Sequence, residues 1–126
     1  MRQQVALAAA VLAALVLPTL AFGSAVLTGK YATTIKSPAQ FKGSWVLTLA
    51  KGGTYTARHG QLLIRGRYST TGSRITFGHE TGDGACPKSG TYAWKKSGKT
   101  LRFTRVSESP ACSGRSAVLA HTFTQR

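Results

Sequence analysis

The chain has 126 residues and a formal net charge of +14, with 17 Lys and Arg set against three acidic residues. Three carboxylates leave little room for paired-acid catalysis, two cysteines without neighbouring histidines fall short of a zinc site, and the length suits one domain with one core. The cationic excess favours anionic surfaces and polymers without selecting one, and it also keeps the chain soluble.

Residues 1–25 read as a cleaved signal peptide. Arg2 supplies a positive n-region, Val5 to Leu17 is an apolar run, and Pro18 breaks it. Small residues follow at signal-peptidase spacing: Ala21 and Gly23 direct cleavage before Ser24, Gly23 and Ala25 before Val26. The segment is short and promptly punctuated for a membrane anchor, and no cysteine stands near it for lipid attachment. The expected product is released, as an extracellular protein or a periplasmic one where an outer membrane exists, and is not inserted in a membrane. Residues 26–126 form the remaining domain.

From Gly29 onward the sequence shows period-two alternation and no helical period, which predicts an all-β domain. Tyr31, Thr33 and Ile35 alternate with polar neighbours in a first strand. Trp45, Leu47 and Leu49 share one face of a second, Tyr55 and Ala57 one face of a third. Leu62, Ile64, Gly66 and Tyr68 line a fourth, with Leu63, Arg65 and Arg67 opposite. Ile75 and Phe77 mark a fifth, with His79 continuing their inward face; Tyr92 and Trp94 mark a sixth, Leu101 and Phe103 a seventh. Leu119, His121 and Phe123 are read as one inward face of an eighth. Each strand has an apolar and a polar side, as antiparallel sheets wetted on one face require. Short Gly-bearing connections at 51–53, 71–73 and 97–99 suit tight hairpins, so the expectation is an antiparallel meander closing into a small, roughly eight-stranded barrel.

Two longer loops, 79–89 and 107–116, each carry one cysteine. In an exported chain an even count reads as a bridge, so Cys86 and Cys112 are expected to be disulfide-bonded. The closed loop is 27 residues counting both cysteines, worth about 3.5 kcal/mol of chain entropy. A Gly-x-aromatic repeat, at Gly29, Gly43, Gly53, Gly66 and Gly90, places an inner-face ring two residues after each glycine, which a tightly coiled barrel can use.

The meander, the Gly43-Ser44-Trp45 triplet on an early strand and an arginine after the second cysteine resemble the calycin group of lipocalins, avidins and their small bacterial relatives. The resemblance implies a barrel with a ligand at its mouth, and an arginine packed over the early tryptophan, with Arg115 as the candidate. A Gly-x-Tyr strand precedes the Trp strand, unlike the lipocalin pattern. Leu27-Thr28-Gly29-Lys30-Tyr31 is similar to an avidin start, but the biotin-holding residues have no match.

No nucleophile elbow, phosphate loop or dinucleotide fingerprint occurs, so no catalytic residue, metal or cofactor is expected. Glu80 and Asp83 sit in a Gly-rich loop suited to turns, and His59 beside Gly60 in a hairpin exposed to solvent. The leading expectation is a monomeric small-molecule binding protein that takes an apolar or aromatic ligand. The candidate ligand-binding residues are Tyr31, Trp45, Tyr55, Tyr68, His79, Tyr92, Trp94 and His121, since barrel mouths are lined by such inward side chains. The alternative is a basic module that binds an anionic envelope polymer or inhibits a secreted enzyme through its cysteine-bearing loops. Arg65, Arg67, Arg74 and Arg102 should decorate the outer wall without exposed aromatics, which argues against specific nucleic-acid recognition.

Overall fold

The computed structural model describes residues 27–126; the signal-peptide reading of residues 1–25 and the cleavage points lie outside them. Eight antiparallel strands run in sequence order and close on themselves: β1 (Gly29–Ile35), β2 (Gly43–Leu49), β3 (Thr54–His59), β4 (Leu62–Thr71), β5 (Arg74–Thr81), β6 (Gly90–Ser97), β7 (Thr100–Ser107) and β8 (Phe123–Gln125). The expected meander is the observed one: the connections from β2 through β7 sit on the glycines that punctuate the sequence, while β1 and β2 are joined through a single 3-10 turn at Ala39–Phe41. Gly72 and Gly98, at φ +58° and +59°, supply the positive dihedral that two-residue turns demand.

Strand parity follows the alternation. Tyr31, Ile35, Trp45, Leu47, Leu49, Tyr55, Tyr68, Ile75, Phe77, Tyr92, Leu101, Phe103 and Phe123 are all buried in one cluster. Each fully buried side chain of this kind contributes about 1.5 to 3 kcal/mol. Phe77 is the hub, meeting Tyr55, Tyr92 and Phe103 edge-on with ring centroids 5.0 to 5.9 Å apart, the arrangement aromatic quadrupoles favour. At the hairpin end the barrel is plugged: Leu27 is fully buried, and its carbonyl accepts a 2.8 Å hydrogen bond from Tyr31 Oη. Tyr68 Oη closes the same end by donating to the Ala50 carbonyl at 2.8 Å.

The last segment departs from expectation. Residues 119–123 do not form one strand; the chain builds a short helix, α1 (Ser113–Leu119), and β8 begins only at Phe123. Cys112, Arg115, Val118 and Leu119 recur at helical spacing, and Val118 and Leu119 are buried. The competing alternation of Leu119, His121 and Phe123 spans a helix end and a turn. β8 pairs only with the hairpin-end residues of its neighbours, Thr100 and Leu101 on β7 and Tyr31 and Ala32 on β1. Toward the mouth β7 has no β8 partner, and α1 packs against it there.

The second departure is a bulge. Arg67 pairs with Gly78 and Arg65 with Thr81, so two β5 residues, His79 and Glu80, oppose the single Gly66. His79 takes φ +53°. The extra residue reverses the parity of β5: His79 points to solvent, and Glu80 turns into the barrel.

Candidate functional site

At the mouth, six segments converge on Arg115. Its Nε and Nη2 donate to Glu108 Oε2 and Oε1 at 2.8 and 2.7 Å, a two-pronged fork on one carboxylate. Nη1 donates to Glu80 Oε2 at 3.0 Å, and Nη2 also reaches the Lys88 carbonyl at 2.7 Å. Tyr92 Oη donates to Glu108 Oε2 at 2.5 Å, Tyr55 Oη donates to Glu80 Oε2, and the Cys86 N–H donates to Glu80 Oε1 at 2.8 Å. The side chains of Arg115, Glu80 and Glu108 are 7%, 4% and 1% exposed. Charges this deep are tolerable only with most of their donors and acceptors engaged. These are the only ion pairs among the described residues.

Local backbone makes the cluster possible. The β5 bulge delivers Glu80, and the helical turn of α1 carries Arg115 back over the mouth. Two glycines of the aromatic repeat give it room: a Cβ on Gly66 would meet the Tyr55 ring at 2.7 Å, and one on Gly90 would collide with the Glu108 carboxylate. Burial alone would raise the Glu108 carboxyl, but hydrogen bonds from Arg115 and Tyr92 bring it below its ordinary value of 4.5. Burial would lower the Arg115 guanidinium, and its bonds to Glu108 and Glu80 hold it above its ordinary range instead. Burial, then the bonds to Glu80 and Glu108, push the Tyr55 and Tyr92 phenols well above 10.0. Cys86 and Cys112 stand at disulfide distance beside the cluster, Cα to Cα 5.4 Å, tying the two long loops as expected.

Next to this clamp lies an apolar cavity of about 110 Å³, walled by Trp45, Tyr55, Phe77, Val118 and Phe123, with Glu80 and Arg115 on one edge and the half-exposed Phe41 at its rim. A second, open cleft of about 760 Å³ runs between α1 and β7, lined by Tyr92, Phe103, Arg105 and the serines 109, 113 and 116.

Of the eight residues expected to bind ligand, Trp45 and Tyr55 line the cavity and Tyr92 the cleft. Tyr31 and Tyr68 serve the plugged end, bonded to backbone. Trp94 packs against the core, with its buried indole N–H unpartnered. His79 is exposed, and His121 lies half-buried beyond α1, its Nδ1 3.1 Å from the Ala117 carbonyl; neither lines the interior. The calycin-like role expected of Arg115 also changes hands. His59 stacks on Trp45, with ring centroids 4.4 Å apart and planes 4° from parallel, while Arg115 is committed to the two glutamates. Instead of standing free in solvent, His59 bonds the Ser44 carbonyl through Nδ1 at 3.0 Å. Trp45 itself donates from Nε1 to the Phe41 carbonyl at 2.8 Å.

The sequence places Glu80 with Asp83 in a Gly-rich loop suited to turns, whereas the β5 bulge buries Glu80 and the return of α1 buries Glu108. The signal for Glu108 lay in its position ahead of Cys112 and Arg115, seven residues before the cation it binds. No helix among the described residues is long and apolar enough to cross a membrane. The closed eight-stranded meander is consistent with a calycin-like fold, and comparison of the chain with protein-family models, curated proteins and solved structures finds no match.

Proposed function

We propose that this is an exported binding protein rather than an enzyme, and that the cavity beneath α1 takes a compact apolar ligand no larger than a single aromatic ring. The observation that carries this reading is the cavity itself: an apolar space at the mouth, ringed by Trp45, Phe77 and Phe123 and framed by the Arg115 clamp. Its size sets the ligand class. Drug-sized ligands use pockets of about 300 to 1,000 Å³, whereas an apolar cavity of about 150 Å³ accepts benzene. The large retinoid- or lipid-sized cargo that an empty barrel would hold does not fit a core this filled. A binding role also suits the two interior carboxylates: both are engaged by Arg115 and a tyrosine, so neither is free to exchange protons with a substrate. Export belongs to this reading through the N-terminal segment and the paired cysteines.

Titration with benzene, followed by methyl NMR, tests it. Resonances of Leu47, Val118 and Leu119 should shift saturably, and Val118→Phe, which fills the space, should abolish the shifts while the protein remains folded. Absence of any saturable shift with benzene, and also with xenon, would refute the reading.

A further inference from the structure

The clamp has a consequence for the outside of the molecule. Two of the three acidic side chains are consumed internally, leaving Asp83 as the only exposed carboxylate side chain among the described residues. Of the 17 Lys and Arg, Arg2 lies outside those residues, Arg115 is buried and Lys96 half-buried, so fourteen cations are exposed against that one acid. Their distribution is uneven. The outward positions of β3 to β7 carry Arg58, Arg65, Arg67, Arg74, Lys95 and Arg102, five arginines to one lysine. Lysines dominate the turns and loops instead, at positions 36, 42, 51, 88 and 99.

Strand register shows what lies between the wall cations. Arg65 pairs with Thr56 and Thr81, Arg67 with Thr54 and Gly78, and Arg74 with Thr71 and Ala93. Lys95 sits directly opposite Arg102, a like-charge juxtaposition that weakens a sheet. Solubility alone does not require arginine or an opposed cation pair. A guanidinium offers a planar fork for oxyanions, which an ammonium does not, and the neighbouring threonine hydroxyls add short-range donors. No aromatic side chain faces outward here to stack on bases, and among the described residues Val106 is the only exposed large hydrophobic one, which provides no foothold in a lipid layer.

We propose that the outer wall of β3 to β7 docks a linear polyanion of closely spaced phosphates on a backbone without stacking bases. The wall is independent of the interior cavity, so either reading can fail alone. Binding of long-chain inorganic polyphosphate tests it, with poly(dT) of equal charge and phosphatidylglycerol vesicles as comparators. The wall variant Arg65→Thr/Arg67→Thr/Arg74→Thr/Arg102→Thr should bind polyphosphate at least about tenfold more weakly at moderate salt, with a salt slope lower by about 3. An equally discharged control, Lys36→Ser/Lys42→Ser/Lys51→Ser/Lys88→Ser, should lose less than about threefold. In the unaltered protein, polyphosphate should shift the amides of Arg65, Arg67, Arg74 and Arg102. Equal losses in the two variants, or shifts spread over the whole surface, would reduce the effect to net charge and overturn the proposal. Tighter binding to poly(dT) or to vesicles would overturn it in favour of those partners.

Discussion

The Glu108 carboxylate occupies the space that a side chain on Gly90 would need. Gly90→Ala should therefore push Glu108 off Arg115 and Tyr92, at a cost of about 1 to 3 kcal/mol, the range for a buried polar group left poorly bonded. Gly52→Ala, in a turn where a Cβ meets nothing within 4 Å, should shift stability by less than about 0.5 kcal/mol. Urea midpoints of the two variants give the comparison, and equal midpoints would mean that the carboxylate adapts freely.

Arg115→Met leaves two interior carboxylates without their cation and should destabilise by about 3 to 5 kcal/mol. Adding Glu80→Gln and Glu108→Gln removes the stranded charge, so the triple variant should be more stable than Arg115→Met alone. Equilibrium unfolding of the three proteins measures this ordering. A triple variant weaker than the single one would show that the glutamates matter through hydrogen bonding and not through charge.

Stability should fall on both sides of a broad plateau. The folded protein holds the Glu108 carboxyl below 4.5, so this contribution is complete above that pH and disappears as pH drops through the lowered folded value. The Tyr55 and Tyr92 phenols are raised above 10.0, which favours their neutral forms; that contribution is complete below pH 10.0 and lost as pH climbs beyond it. Tyr92→Phe should flatten the alkaline limb, and Glu108→Gln the acid one, in urea midpoints recorded against pH.

Trp45 is 4% exposed, bonded to Phe41 and stacked on His59. Trp45→Ala should cost about 3 to 5 kcal/mol. Trp45→Phe keeps most of the packing and loses the indole hydrogen bond, at about 1 kcal/mol. A Trp45→Ala protein that melts like the parent would contradict the inward register of β2.

Replacing Cys86 and Cys112 together with Ser should lower stability by about 2 to 5 kcal/mol. The clamp should loosen at the same time, because the Cys86 N–H bonds Glu80 and Cys112 leads directly into α1. Thermal melts with and without reductant provide the readout.

Alternation made the barrel legible: Tyr31, Leu47, Tyr68, Tyr92 and Leu101 all face the side that period two assigns them. It failed where parity is reset. One residue of bulge at His79 exchanges an expected inward histidine for an inward glutamate, and nothing in the local composition announces a left-handed residue there. α1 is seven residues long, too short for a helical period to outweigh the alternation that overlaps it. The clamp joins residues from β3, β5, β6, α1 and the two cysteine-bearing loops, and only the folded barrel reveals that Arg115 serves both glutamates.

The β1–β8 seam bears on the order of assembly. It joins the segments most distant in sequence of any pair in the sheet, so chain-closure entropy places this seam among the last contacts to form. Until Phe123–Gln125 dock, β1 and β7 remain bare edges, templates for pairing between chains. Arg115 follows the seven earlier strands, so the mouth is also unlocked throughout that interval. A nascent chain threaded N-terminus first through a narrow channel would therefore stay loose until its tail had passed, and would then gain its seam and its lock together.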